Sequence, residues 1–281
     1  QELEVLAEIT AVKREKQAAI VHDWQNKWAL EGSCGPRNAG MGYWDELKRH
    51  YNALAREGIA VEFVDQNADL TGYGLVVVPM LYLLTDAFAK KLCAFAQNGG
   101  TVIVTYWSGV VDESDLCRLG DTPYGLTELL GLRRAEIDGM YDGETRRCVP
   151  SAGCTLPAAQ ASTLCEVAAL DEKDPAEPLS LYAEDYFAGH PAASVHRYGK
   201  GRAYYLASRF DEAFYRAFYH DAAKEIGLSP AWPEALPEGV LAVRRGSFVF
   251  VQNCTEQPAT VGNTVLDRYR TAVWKDMDRI F

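Results

Sequence analysis

The sequence has no apolar run able to cross a bilayer as a helix. Its longest, Leu75 to Leu84, is about half the length a span needs and contains Pro79. It has no basic run either. Its 28 Lys and Arg are outnumbered by 39 Asp and Glu, and a chain carrying −11 repels a phosphate backbone. These two absences argue against membrane and nucleic-acid partners. There is no CxxC pair. The seven cysteines, at 34, 93, 117, 148, 154, 165 and 254, are odd in number and scattered, which argues against a disulfide framework or metal site and for reduced thiols in a cytoplasmic protein. No signal peptide is visible, because residues 1–17 are charged and amphipathic. The loop after the first strand, Asp23-Trp-Gln-Asn-Lys-Trp28, lacks the Ser/Thr/Gly character of a phosphate cradle, so no flavin or other cofactor is expected. Internal repeats and low-complexity segments are also missing.

What is present reads as a globular chain. Its 281 residues are 48% hydrophobic and 24% charged, enough for one large or two modest domains. Leu3, Leu6, Ile9 and Val12 have helical spacing with nothing ahead to cap them, which suggests a piece of something longer. Ala18 to His22 reads as a buried strand, and a loop rich in Trp, Asn and Gly runs from Asp23 to Gly42. Residues 43–57 predict an amphipathic helix with Trp44, Leu47, Tyr51 and Leu54 on its apolar face and Gly58 as its stop. Strands follow at 60–64 and 75–78. Thr85 then caps a helix carrying Phe88, Leu92 and Phe95, Gly99-Gly100 ends it, and Thr101 to Tyr106 is a further strand.

This order predicts a flavodoxin-like α/β fold: a parallel sheet with helices on both faces. The pattern loosens over 107–189, where Ser162 to Ala169 and Leu179 to Ala183 are the best strand candidates. Strands at 192–198 and 202–207 flank Gly199-Lys200-Gly201, and a helix over 211–226 carries Phe214, Phe218, Ala222 and Ile226. The proline-rich stretch from Ser229 to Pro237 marks a boundary. Beyond it, Val240 to Arg244 and Phe248 to Gln252 predict a hairpin, with a third short strand from Pro258 to Val261, making a small antiparallel β domain.

The turn Trp107-Ser108-Gly109, after the strand at 101–106, is where an open α/β sheet would place a nucleophile. In a class I glutamine amidotransferase-like sheet that nucleophile is a cysteine. Here the position holds Trp107, and an indole cannot attack a carbonyl. Ser108 would need a histidine and an acid, and a turn serine bonding local backbone is the favoured reading. His190-Pro191-Ala192 resembles the histidine pair of such a triad with alanine in place of the acid. Asp112, Glu113 and Asp115 form an acidic cluster on one loop, better placed for capping or an interface than for facing each other across a substrate. Trp24, Asn26 and Trp28 suit contact with a carbohydrate or a protein, since indole faces stack and the amide gives directional hydrogen bonds.

With these residues in view, positions 17–262 resemble the non-catalytic part of a family 42 glycoside hydrolase, a β-galactosidase. The resemblance is carried by Ala19-Ile-Val-His-Asp-Trp-Gln-Asn-Lys-Trp-Ala-Leu30, Val76-Val-Val-Pro79, Gly99 to Gly109 with Asp112-Glu113, Tyr198-Gly-Lys-Gly-Arg-Ala-Tyr-Tyr-Leu206 and Phe248-Val-Phe-Val-Gln-Asn253, in that order and spacing. It implies an amidotransferase-like trimerisation domain over 17–228 and a small β domain over 236–281. Residues 1–16 would be the helix end leading from a catalytic barrel that is missing here. The family's two catalytic glutamates lie in that barrel, so no catalytic residue carries over. The resemblance implies a homotrimer in which Trp24, Asn26 and Trp28, with Asp112 and Glu113, face a neighbouring subunit. The galactoside substrate would then be met by the missing barrel. Two other readings stay open: a free-standing amidotransferase-like hydrolase using Ser108 or a cysteine, and a carbohydrate-binding module.

Overall fold

A computed structural model describes residues 6–12, 15–33, 35–36 and 40–279. The first strands are β1 (Ala18–Val21), β2 (Val61–Val64), β3 (Leu75–Val78) and β4 (Thr101–Thr105). Next come β5 (Leu132–Gly139), β6 (Thr145–Pro150), β7 (Ala159–Leu170), β8 (Glu177–Tyr182), β9 (Pro191–Tyr198), β10 (Gly201–Leu206) and β11 (Ser208–Arg209). Among the described residues, five α-helices punctuate them: α1 (Trp24–Gly32), α2 (Tyr43–Arg56), α3 (Asp86–Gln97), α4 (Thr127–Leu130) and α5 (Glu212–Ile226).

The expectation of a flavodoxin-like, amidotransferase-like parallel sheet is corrected by the strand pairing. Eleven strands form one mixed sheet in the order β11-β7-β6-β8-β9-β10-β4-β3-β1-β2, with β5 also paired to β7. Parallel pairing is confined to β10-β4-β3-β1-β2, and the other half is antiparallel. The reason lies in the stretch that reads as loose. Residues 132–198 supply five antiparallel strands whose alternation is broken by register shifts at Arg134/Glu136 and Pro178/Ser180 and by Thr163 at φ 75°. Each irregularity reverses the inside–outside phase, so no period-2 pattern survives over the whole strand.

In the parallel half, β1, β3 and β4 are buried at every position, as strands covered on both faces must be. One apolar cluster joins Ile20, Val77 and Ile103 to Leu47 and Leu54 of α2 and Phe214 and Phe218 of α5. The other joins Val76 and Val102 to Phe88 and Leu92 of α3 and to Leu129 of α4.

Several local readings change. The loop expected at Asp23 opens a helix, because the Asp23 carboxylate accepts from Gln25 and Asn26 N–H at 2.8 and 3.3 Å. On α2 the buried stripe is Tyr43, Glu46, Leu47, His50 and Leu54, whereas Trp44 is 44% exposed. Two ionisable residues on the inner face thus hide its true phase. Of the N-terminal helix expected over 2–15, a 3-10 turn spans Leu6–Ala11, and residues 1–5, 13 and 14 lie outside the described residues.

The remaining strands are β12 (Val240–Arg245), β13 (Phe248–Asn253), β14 (Ala259–Val261), β15 (Thr264–Leu266), β16 (Thr271–Lys275) and β17 (Asp278–Arg279). The expected hairpin forms between β12 and β13, but its next neighbour is β16, and β14 pairs with β15 instead. The apolar cluster of this small sheet includes Ala231 and Trp232 from the proline-rich stretch, with Trp232 edge-on to Trp274 at 4.9 Å.

The parallel half depends on close backbone approach at its lower end. A Cβ on Gly201 would lie 2.1 Å from the Gly100 carbonyl oxygen and 2.5 Å from that of Ala96. Gly201→Ala is therefore expected to lose about 1–3 kcal/mol of stability by overpacking. Gly32→Ala, at a glycine whose added Cβ would meet nothing within 4 Å, should lose none. Urea unfolding midpoints of the two variants check this.

Candidate functional site

The site begins where β4 ends. Trp107 sits at φ 60°, a conformation that costs a bulky residue on the order of 1–3 kcal/mol and persists only when its surroundings hold it. Three contacts hold it. Its backbone N–H donates to Glu166 Oε1 at 2.9 Å, its indole stacks on Tyr82 at 5.6 Å, and the Arg134 guanidinium lies 5.8 Å from the ring. The geometry is that of a strained strand-to-turn elbow, and the side chain it presents is an inert, largely buried indole.

Glu166 is fully buried on β7. Besides Trp107 it accepts from Arg134 Nη1 at 2.8 Å and from the Tyr205 hydroxyl. Burial opposes charge on Arg134, but the adjacent Glu166 carboxylate outweighs it and holds the guanidinium above its usual range. Tyr205, buried against the same carboxylate, is pushed well up and stays a neutral donor.

A second buried carboxylate braces the preceding residue. Glu46 of α2 accepts from Arg209 Nε at 2.8 Å and from Tyr215 OH at 2.7 Å, and His50 Nε2 lies 3.3 Å away. Arg209 Nε also reaches Tyr106 OH at 3.0 Å, and its Nη2 donates to the Met41 carbonyl at 2.6 Å. Burial alone would raise Glu46. The contacts with His50, Arg209 and Tyr215 more than offset it and bring its carboxyl down to about 2.

Ser108 is buried, and its Oγ accepts from Leu81 N–H at 3.0 Å. Neither His190 nor an acid is hydrogen-bonded to it. His190 Nδ1 is instead 3.2 Å from the Ala168 carbonyl. Asp112 shapes its own loop, with Oδ1 accepting from Ser114 and Leu116 N–H at 2.8 and 3.1 Å. These backbone donors hold its carboxyl below the ordinary value. Glu113 is exposed, 3.5 Å from Arg118 Nη2. Among the described residues, no group of three His, Cys, Asp or Glu side chains could hold a metal ion, and no helix is long and apolar enough to cross a membrane.

Above β1 the structure separates the three residues singled out in the Asp23 loop. Asn26 is fully buried, its Nδ2 donating to the Met80 carbonyl at 3.1 Å and its Oδ1 accepting from Leu83 N–H at 2.9 Å. It pins α1 to the turn after β3. Trp24 and Trp28 face outward, 54% and 62% exposed, with centroids 6.3 Å apart. Sequence reasoning missed two further members of this patch. Trp44 lies 6.0 Å from Trp24, and His22 stacks on Trp44 at 4.9 Å and meets Trp24 edge-on at 5.1 Å. Burial lowers the His22 pKa, which disfavours the charged ring within this aromatic platform. Glu46 and Glu166 were missed too. For Glu166 a signal existed: one charge inside the apolar run Leu164-Cys-Glu-Val-Ala168.

The family model described as "Beta-galactosidase trimerisation domain" matches residues 16–229. The β-galactosidase BglY of Alicyclobacillus acidocaldarius is 43% identical over 266 residues, which cover 92% of this chain and 38% of that protein. Among solved structures, the β-galactosidase from Rahnella sp. R3 superposes with a TM-score of 0.90 at 37% identity, covering 98% of this chain and 43% of that one. The β-galactosidase from Bacillus circulans sp. alkalophilus does so with a TM-score of 0.86 at 28% identity, covering 99% and 43%. The chain thus spans about two fifths of the length of these relatives.

Two stability measurements test the braces. Glu166→Ala leaves Arg134 buried without its acid and frees the Trp107 N–H, so it should cost about 3–5 kcal/mol in denaturant unfolding. Adding Arg134→Met should recover part of that loss. For Glu46, the carboxyl titrates at about 2 when folded against an ordinary 4.5, so the unfolded chain takes up the proton first. Its contribution is complete above about pH 4.5 and is lost as pH falls toward 2. Glu46→Gln should remove that part of the acid limb in a series of unfolding curves across this range.

Proposed function

We propose that this chain, which belongs to the β-galactosidase trimerisation domain family, is the non-catalytic assembly portion of a longer cytoplasmic β-galactosidase. The whole enzyme would hydrolyse terminal β-D-galactosides with retention through two carboxyl groups outside this chain. The observation that carries the reading is the family match over residues 16–229 in a chain spanning about two fifths of its relatives. The elbow agrees with it: what it presents is the buried Trp107 indole, and Ser108 is tied to Leu81. In this reading residues 1–16 lead in from the catalytic barrel, 17–228 form the trimerisation domain and 236–281 a small β domain.

The aromatic platform of Trp24, Trp28 and Trp44, with the loop carrying Asp112 and Glu113, then faces a neighbouring subunit of a homotrimer. Three large, partly exposed indoles on one crest are the composition of an interface core. Asn26 fixes the angle at which α1 presents them.

This chain alone should show no hydrolysis of an aryl β-galactoside; turnover abolished by Ser108→Ala would overturn the reading. In the full-length enzyme, Trp28→Ala should weaken the trimer or alter its kinetics. An unchanged mass by light scattering together with unchanged kcat and KM would remove the platform from the interface. Calorimetric binding of galactose by this chain, lost in Trp24→Ala, would assign the indoles to carbohydrate instead.

A further inference from the structure

The helices α2 and α5 pack side by side on one face of the sheet, and a cleft of about 200 Å³ opens between them. Arg49, Asn52 and Arg56 line it from α2, and Glu212, Tyr215 and Arg216 from α5. Three arginine side chains therefore line one small volume in a chain whose net charge is −11. Like charges gathered this way repel one another unless an anion lies between them.

The cleft's own acids do not neutralise it. Arg56 spends its two Nη groups on Glu212 and on Glu238, the latter at 3.2 Å. Glu212 is the only carboxylate among the lining residues, and it is taken by that pair. Tyr215 OH is committed to Glu46 on the inner side. Arg49 and Arg216 make no ion pair among the described residues, and Arg49 Nε is shut off from water without a hydrogen-bond partner. A buried donor with no acceptor is uncommon in folded proteins and destabilising, the more so when charged.

We propose that this cleft binds a small tetrahedral oxyanion of the phosphate class, held by Arg49 and Arg216 with Asn52 as a neutral donor. Guanidinium forks match phosphate oxygens, and donors arriving from two helices suit an anion with acceptors on several faces. The site is separate from the crest and independent of the assembly role proposed above. A neighbouring cleft shares Arg56 and Arg216 and is lined further by His220 and Trp232, so the anion would sit beside the junction of α5 with the proline-rich stretch.

The test is calorimetric titration of this chain with inorganic phosphate, against sodium chloride and sodium acetate at matched ionic strength. Saturable, one-site binding of phosphate is expected, with acetate at least tenfold weaker. Arg49→Gln and Arg216→Gln should each weaken phosphate binding tenfold or more. Lys224→Gln, an exposed cation of α5 that does not line the cleft, should leave it unchanged. Circular dichroism of each variant shows that it is folded, and Arg49→Lys, which keeps the charge but not the fork, gives an intermediate affinity. No saturable phosphate binding, binding equal to acetate, or binding unaffected in both arginine variants would overturn the proposal.

Discussion

Two consecutive residues at the end of β4 are gripped from opposite sides by two buried carboxylates. Glu46, through Arg209, reaches the Tyr106 hydroxyl, and Glu166 takes the Trp107 backbone N–H. Each acid is fully buried and each has an arginine beside it, so both pairs are all-or-nothing: intact they fix geometry, and half removed they leave a stranded charge. The positive φ of Trp107 persists because Glu166, Tyr82 and Arg134 hold the residue while Glu46, through Arg209, anchors Tyr106 before it. The rest of the crest is referenced to it. Ser108 and Thr105 side chains accept from Leu81 and Met80, Asn26 bridges Met80 and Leu83, and α1 thereby inherits its position from the elbow.

The two pairs reach the elbow from different parts of the fold. Glu46 and Arg209 tie α2 to the chain just after β10, while Glu166 and Arg134 come from the antiparallel strands β7 and β5. The two halves meet where β9 pairs with β10, and the elbow follows β4, the neighbour of β10 on its other side. Strain and buried ionisable groups mark active sites in many folds. Here they fix the elbow, and the aromatic platform lies on the same crest.

How much of this was legible follows from period and phase. The buried strands of the parallel half, the Thr85 cap and the aromatic face of α5 were readable, because each has an unbroken pattern. The antiparallel half was not. Its bulges at Arg134/Glu136 and Pro178/Ser180 reset the alternation, and a sheet assigned from the clean elements alone came out parallel. The α2 phase was lost for a related reason. Glu46 and His50 lie on the buried stripe, and a hydrophobicity rule pushes such residues outward, which drew Trp44 inward by mistake. At the crest, the sharp turn after β4 could be read from Trp107-Ser108-Gly109. The carboxylate that holds it lies 59 residues further on and is brought near only by the sheet.

The proline-rich stretch illustrates how composition and role can part. Prolines this dense suggest a tether between two bodies, yet Ala231 and Trp232 are buried in the apolar cluster of the small sheet, and Ala231 N–H donates to the Gly58 carbonyl at 2.8 Å. The stretch is mortar rather than string. A chain divided at this point, by evolution or by an engineer recombining modules, would leave the small sheet without its indole and expose Trp274 to water. The segment that looks most cuttable in the sequence is therefore a poor place to exchange one β module for another, and successful shuffling should carry Ala231 and Trp232 with the C-terminal piece.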